Sequence, residues 1–113
     1  MADYSAHLTN LPLPAQKVRL VIDQVRGKGA NEALDILRFT PNRAAGPVRK
    51  LLASAVANAE ENFGISRDEL FVATIYANEA PTRKWRRFGA RGRFKPLLRR
   101  ASHVTVVLRE RTT

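Results

Sequence analysis

The sequence predicts an α+β domain: three helices packed on a small antiparallel sheet, with a long basic β-hairpin extension. Three stretches in the first half repeat apolar residues every three or four positions, the spacing of one helix face. Two later stretches, residues 70–78 (LFVATIYAN) and 102–109 (SHVTVVLR), are rich in β-branched and aromatic side chains, as strands are. Between them runs a segment too heavily charged to enter a core, so pairing of the flanking strands leaves it as their protruding end. At 113 residues the chain makes one domain, residues 1–113, with residues 80–101 as its extended arm.

Residues 2–10 alternate Ala2, Tyr4, Ala6 and Leu8 with Asp3, Ser5, His7 and Thr9, which predicts an edge strand. Leu11, Pro12, Leu13 and Pro14 break it, and Pro14 suits a first helical turn because its missing N–H is not needed there. The helix that follows places Val18, Val21, Ile22 and Val25 at i, i+3, i+4 and i+7, and Gly27 is its left-handed cap. A second helix, residues 31–39, takes Asn31 as its cap and buries Ala33, Leu34 and Leu37. Thr40 and Pro41 open a third, reaching residue 62, with Ala44, Val48, Leu51, Leu52, Ala55, Val56 and Ala59 inward. Pro47 conflicts with that start. In a helix interior it removes the bond to the Arg43 carbonyl and costs roughly 3 kcal/mol, so the helix either kinks in its second turn or begins late. Gly64 closes it in the left-handed region, with Ile65 folding back.

Charge narrows the function. Twenty Lys and Arg against ten Asp and Glu give a net charge of +10. Residues 82–100 (TRKWRRFGARGRFKPLLRR) hold nine of the cations, Arg83, Lys84, Arg86, Arg87, Arg91, Arg93, Lys95, Arg99 and Arg100, and no acid. The other 94 residues are near neutral, with 11 basic and 10 acidic side chains. Nine adjacent cations repel one another unless a polyanion neutralises them, so nucleic acid is the leading partner. Gly89 and Gly92 permit close backbone approach, and Trp85, Phe88 and Phe94 can stack on bases or wedge between them. The absence of Cys removes disulfides, thiolate metal sites and cysteine nucleophiles. His103 neighbours Ser102 in a strand, where adjacent side chains face opposite ways, so the two are not a nucleophile and its base. The adjacent acids Glu60 with Glu61, and Asp68 with Glu69, lack the spacing of metal ligands. No catalytic residue, metal or cofactor is expected, and neither is an apolar run long enough for a membrane helix or a signal peptide at MADYSAHLTN. The charge map also fits an architectural DNA-binding protein that lays a basic arm in a minor groove with Phe88 or Trp85 as wedge. A helix-turn-helix fits less well, since its second helix would carry Glu32 and Asp35 into a major groove, and a protein-only scaffold is a third reading.

KVRLVIDQVRGK (residues 17–28), EALDIL (32–37), ASAVANAEEN (53–62), NEAP (78–81), ARGR (90–93) and SHVTVVL (102–108) together resemble the family of bacterial large-subunit ribosomal protein twenty-two. The likeness spans nearly the whole chain. It implies a cytoplasmic structural protein of the large ribosomal subunit, without chemistry, that binds large-subunit rRNA and supports its assembly. The implied hairpin lines the polypeptide exit tunnel, with the tip Arg86, Arg87, Phe88, Gly89, Ala90, Arg91 and Gly92 near the constriction and the nascent polypeptide. Implied partners are rRNA and neighbouring large-subunit proteins, with no homo-oligomer. Carried over by position, the rRNA contacts are Lys17, Arg19, Arg26 and Lys28, the arm's Lys84, Arg87, Arg91, Arg93, Arg99 and Arg100, and Ser102 and His103; Arg83, Arg86 and Lys95 join them on charge. The chain departs from the family's pattern at Phe88 and Gly89, where proline and arginine are usual, and at Trp85, where a basic residue is. Ala80 stands for a common glycine, Gly46 and Pro47 for apolar helix formers, and Thr9 and Asn10 for Arg or His.

Overall fold

The structure, a computed structural model, describes residues 3–88 and 94–111, with residues 83–88 and 94–99 described by their backbone pairing. In chain order come β1 (Asp3–Leu11), α1 (Ala15–Ile22), α2 (Ala30–Phe39), α3 (Ala45–Phe63), a 3₁₀ turn (Arg67–Glu69), β2 (Leu70–Glu79), β3 (Arg83–Phe88), β4 (Phe94–Arg99) and β5 (Ser102–Glu110). The expected α+β layering holds. β5 is the central strand of an antiparallel sheet ordered β1-β5-β2, and β3 pairs with β4 in a second, two-stranded ladder. Helix α3 covers β1 and β5, α1 lies against β2, and α2 packs on α3. The extents are 66 × 25 × 18 Å and the radius of gyration is 17.2 Å, against roughly 13 Å for a compact chain of this length.

One face of the sheet makes the core. Val104, Val106 and Leu108 from β5, Leu70, Val72 and Ile75 from β2, and Tyr4 and Ala6 from β1 meet Val18, Val21, Ile22, Val48, Leu52 and Val56 of the helices. Two bulges keep this face apolar where strict alternation fails. After Leu8 the β1 register shifts and Asn10 takes φ 56°, a left-handed value asparagine tolerates, so Leu11 returns inward. In β2 the shift between Val72 and Thr74 turns Ile75 and Ala77 inward and Tyr76 outward.

The helix termini correct three expectations. α1 ends at Ile22, because Gln24 and Val25 bond to the carbonyls of Val21 and Ile22 and tighten the chain; Val25 is buried all the same. Gly27 is left-handed as expected, at φ 81°, and its N–H reaches the Val72 carbonyl at 2.9 Å. α2 starts at Ala30 rather than Asn31, whose amide donates instead to the Asp68 carboxylate at 2.6 Å. Thr40 closes α2, its hydroxyl donating to the Ile36 carbonyl at 2.6 Å, and does not cap α3. α3 itself begins at Ala45, after a turn in which the Asn42 side-chain oxygen accepts from Ala44 N–H at 2.9 Å. Of the two outcomes Pro47 allows, the late start is the one adopted. Pro47 is the third residue of α3, where its N–H would have had no intrahelical partner. Gly64 ends α3 at φ 67°, and the N–H of Ile65 returns to the Ala59 carbonyl, both as expected.

Candidate nucleic-acid interface

The basic segment begins where the core sheet ends. Glu79 opposes Ser102 at the last rung of the β2–β5 ladder, Ala80 N–H donates to the Ala101 carbonyl at 2.9 Å, and the β3–β4 ladder then runs from Arg83↔Arg99 to Phe88↔Phe94. This register sets Arg83 opposite Arg99 and Arg87 opposite Lys95. Like charges at opposed positions destabilise a free ladder, so it is suited to an anionic partner. The expected tip residues Gly89, Ala90, Arg91 and Gly92, with Arg93, lie outside the described residues. At the base of the arm a cleft of about 310 Å³ opens beside the first turn of α1, with Lys17, Glu79, Thr82 and Arg100 on its walls.

The candidate residues on and after α1 are exposed, and two of them already hold the protein together. Arg19 donates from Nε and Nη2 to the Ala77 carbonyl at 3.1 and 2.9 Å, and Arg26 donates from Nη2 to the Ile75 carbonyl at 2.9 Å. These carbonyls face the edge of β2 that has no neighbouring strand. Upstream on that edge, Gly27 N–H and Lys28 C=O bond to the C=O and N–H of Val72. The edge is therefore covered by two guanidinium groups and a short backbone segment, which blunts it against pairing with another chain. Sequence reading assigned Arg19 and Arg26 to rRNA and missed this role. Its one trace in the sequence is their seven-residue spacing, which puts both on one side of α1 and its following turn. Arg26 also pairs with Asp23 at 2.7 Å.

At the return from the arm, Ser102 is fully buried and its hydroxyl oxygen has no hydrogen-bond partner among the described residues. It is not on the surface of the free chain. His103 faces the other side of the sheet, its Nδ1 accepting from Asn10 N–H at 3.1 Å, and His7 Nδ1 lies 3.1 Å from the Thr105 hydroxyl. At the far end of this face Arg109 donates to Asp3 at 2.7 Å; that hydrogen bond first, and the attraction of Arg109 as well, hold the Asp3 carboxyl below its ordinary value and the guanidinium above its own. No helix among the described residues is long and apolar enough to cross a membrane.

Known proteins match this chain in sequence along most of its length. The large ribosomal subunit protein uL22 of Pediococcus pentosaceus is 48% identical over 99 residues, which cover 88% of this chain and 84% of that protein. Its counterpart in a Thermoanaerobacter species (strain X514) is 52% identical over 96 residues, 85% and 86% of the two chains, and that of Latilactobacillus sakei is 47% identical over 107 residues, 95% and 92%. The family described as ribosomal protein L22p/L17e matches residues 6–109, from the first strand through the arm to the end of β5, and the chain belongs to that family.

Proposed function

We propose that this protein binds large-subunit rRNA through its basic arm and the adjoining surface of α1, supports the assembly of that RNA, and extends residues 80–101 as a β-hairpin that lines the polypeptide exit tunnel. Family membership makes it a non-enzymatic structural constituent of the large ribosomal subunit, and its compartment is the cytoplasm where that particle works. The finer reading rests on one observation above the others. Nine of the ten excess positive charges lie in a 19-residue segment, and its strands pair with each other rather than with the core sheet.

In physical terms the arm neutralises phosphates that approach from several directions, arginine forks supplying paired hydrogen bonds, while the near-neutral domain stays outside. The binding residues are Arg83, Lys84, Arg86, Arg87, Arg91, Arg93, Lys95, Arg99 and Arg100 on the arm, with Lys17 beside its base, Lys28 at the other end of β2 beside Val72, and the unused donors of Arg19 and Arg26. His103 offers its second ring nitrogen. Residues 86–92 meet the nascent polypeptide, and neighbouring large-subunit proteins flank the arm. Ser102 is not among the binding residues, since its burial removes it from direct contact.

The test is the salt dependence of binding to a protein-free large-subunit rRNA transcript, comparing the intact chain with one carrying glutamine at the nine arm cations. Each neutralised phosphate contributes about 0.7 to 0.9 to the slope of log affinity on log salt, so the slope should fall by roughly 6 to 8. An unchanged slope would move binding away from the arm.

A further inference from the structure

We infer that the loop from α2 to α3 and the first two turns of α3 form a second RNA-backbone contact, carried by Arg43, Arg49 and Lys50; the inference rests on the rRNA-binding reading above. Residues 36–59 contain four cations, Arg38, Arg43, Arg49 and Lys50, and no acid. The domain outside the arm is near neutral only as a sum, and here its charge is local. Arg43, Arg49 and Lys50 are exposed, and none has a salt-bridge partner among the described residues.

Two observations argue that these cations do not serve the fold. Along α3 the charges run against the helix dipole: the first turn has no acid and the last turn has no base, while Arg49 and Lys50 lie toward the positive end and Glu60 and Glu61 at the negative one. Reversing them would suit the helix better. The surface around them is also bare. α3 turns Val48, Leu51, Leu52, Ala55 and Val56 into the core and shows Gly46 before the two cations and Ala53 and Ser54 after them. Gly46 has no packing reason to be glycine, since nothing lies within 4 Å of where its Cβ would be. A face of small residues set with unpaired cations lets a phosphate backbone lie close against the helix, with the long side chains reaching around it.

An acidic protein surface would present the same charge, but its scattered carboxylates need no bare, small-residue face. RNA is therefore the partner assigned.

The test uses the full chain with R43Q, R49Q and K50Q together, and the same rRNA transcript. Losing three phosphate contacts lowers the slope by about 2 to 3, so the loss of affinity between 50 and 200 mM salt should be about 20- to 40-fold smaller than for the unaltered protein. A charge-preserving variant, R43K with R49K and K50R, should keep the slope. Thermal melting should give the glutamine variant an unchanged or raised midpoint. An unchanged slope overturns the proposal and gives the patch to an acidic protein surface; a lowered midpoint with an unchanged slope overturns it in favour of a folding role. An unaltered protein whose binding shows no salt dependence would overturn the rRNA reading itself, whereas a slope lost only in the arm variant overturns this proposal alone.

Discussion

Replacing Arg19 by lysine separates the two jobs that its position invites. The guanidinium holds the Ala77 carbonyl with two donors, at 3.1 and 2.9 Å, on the open edge of β2. Lysine keeps the charge but cannot present a planar fork, so one of the two bonds is lost or weakened. Arg19 is exposed and water can replace part of the interaction, so the loss should sit near the net worth of one hydrogen bond, about 1 kcal/mol. For a two-state chain of this length that is a fall of about 4 °C in melting midpoint. Methionine, which removes charge and donors together, should cost about 2 kcal/mol and roughly 8 °C. Urea unfolding of the three proteins measures the stability, and salt titration of rRNA binding measures the charge. R19K should therefore lose stability while keeping its slope. Should R19K melt with the unaltered protein, and R19M lose about one phosphate's worth of slope with no loss of stability, the arginine would belong to the RNA and the edge carbonyl would need no partner.

Other perturbations follow from the helix ends and the outer strand. Pro47 sits where no intrahelical bond is missing, so P47A should change stability by less than about 1 kcal/mol in denaturant unfolding; a gain near 3 kcal/mol would mean that proline was straining a helix interior. G64A places a Cβ at φ 67° and should destabilise by about 1 to 2 kcal/mol, read as a lower thermal midpoint; equal midpoints would show that the end of α3 relaxes freely. Asp3 is held below its ordinary value by Arg109, so its contribution is present above the unfolded carboxyl's titration and disappears as pH falls through the lowered folded value. The stability difference between the unaltered chain and D3N should accordingly be flat near neutral pH and close in acid, and a difference that persists at low pH would assign the effect to packing.

The parts of this fold that could be read from the sequence are those set by local chemistry. The pairing of β2 with β5, the α1 stripe of Val18, Val21 and Ile22, and the Gly64 closure each follow from periodicity or from one residue's backbone preference. What could not be read depends on partners distant in the chain. Thr40 and Pro41 make a sound helix start in isolation, yet the Thr40 hydroxyl donates to the Ile36 carbonyl and α3 begins only at Ala45, after a turn made by Asn42. Asn31 is a good cap by type, but Asp68, 37 residues away, takes its amide. The two bulges escaped for a similar reason: alternation alone would turn Thr74 and Tyr76 inward, and only the register against β5 makes Ile75 and Ala77 the inward pair. The charge of the arm was plain from composition. The covering of the β2 edge by Arg19 and Arg26 was not, because a cation's sequence position does not say which carbonyls lie open beside it.

That covering bears on how the arm is held. β3 and β4 continue the two strands β2 and β5, so any load on the arm passes into those strands. β5 is flanked on both sides, by β1 and β2. β2 has a strand on one side only, and along its other side Val72, Ile75 and Ala77 are bonded by residues 27–28, Arg26 and Arg19 in turn. The last of these bonds lies three residues from Ala80, where the arm begins. An unsupported edge strand can twist or peel, and a small rotation at its base becomes a large displacement at the end of a ladder that rises about 3.4 Å per residue. The guanidinium of Arg19 thus stiffens the root of the structure that, in the function proposed above, reaches between RNA segments. If Arg19 also offers its charge to rRNA as proposed above, it affects binding by two routes, and the R19K variant isolates the mechanical one.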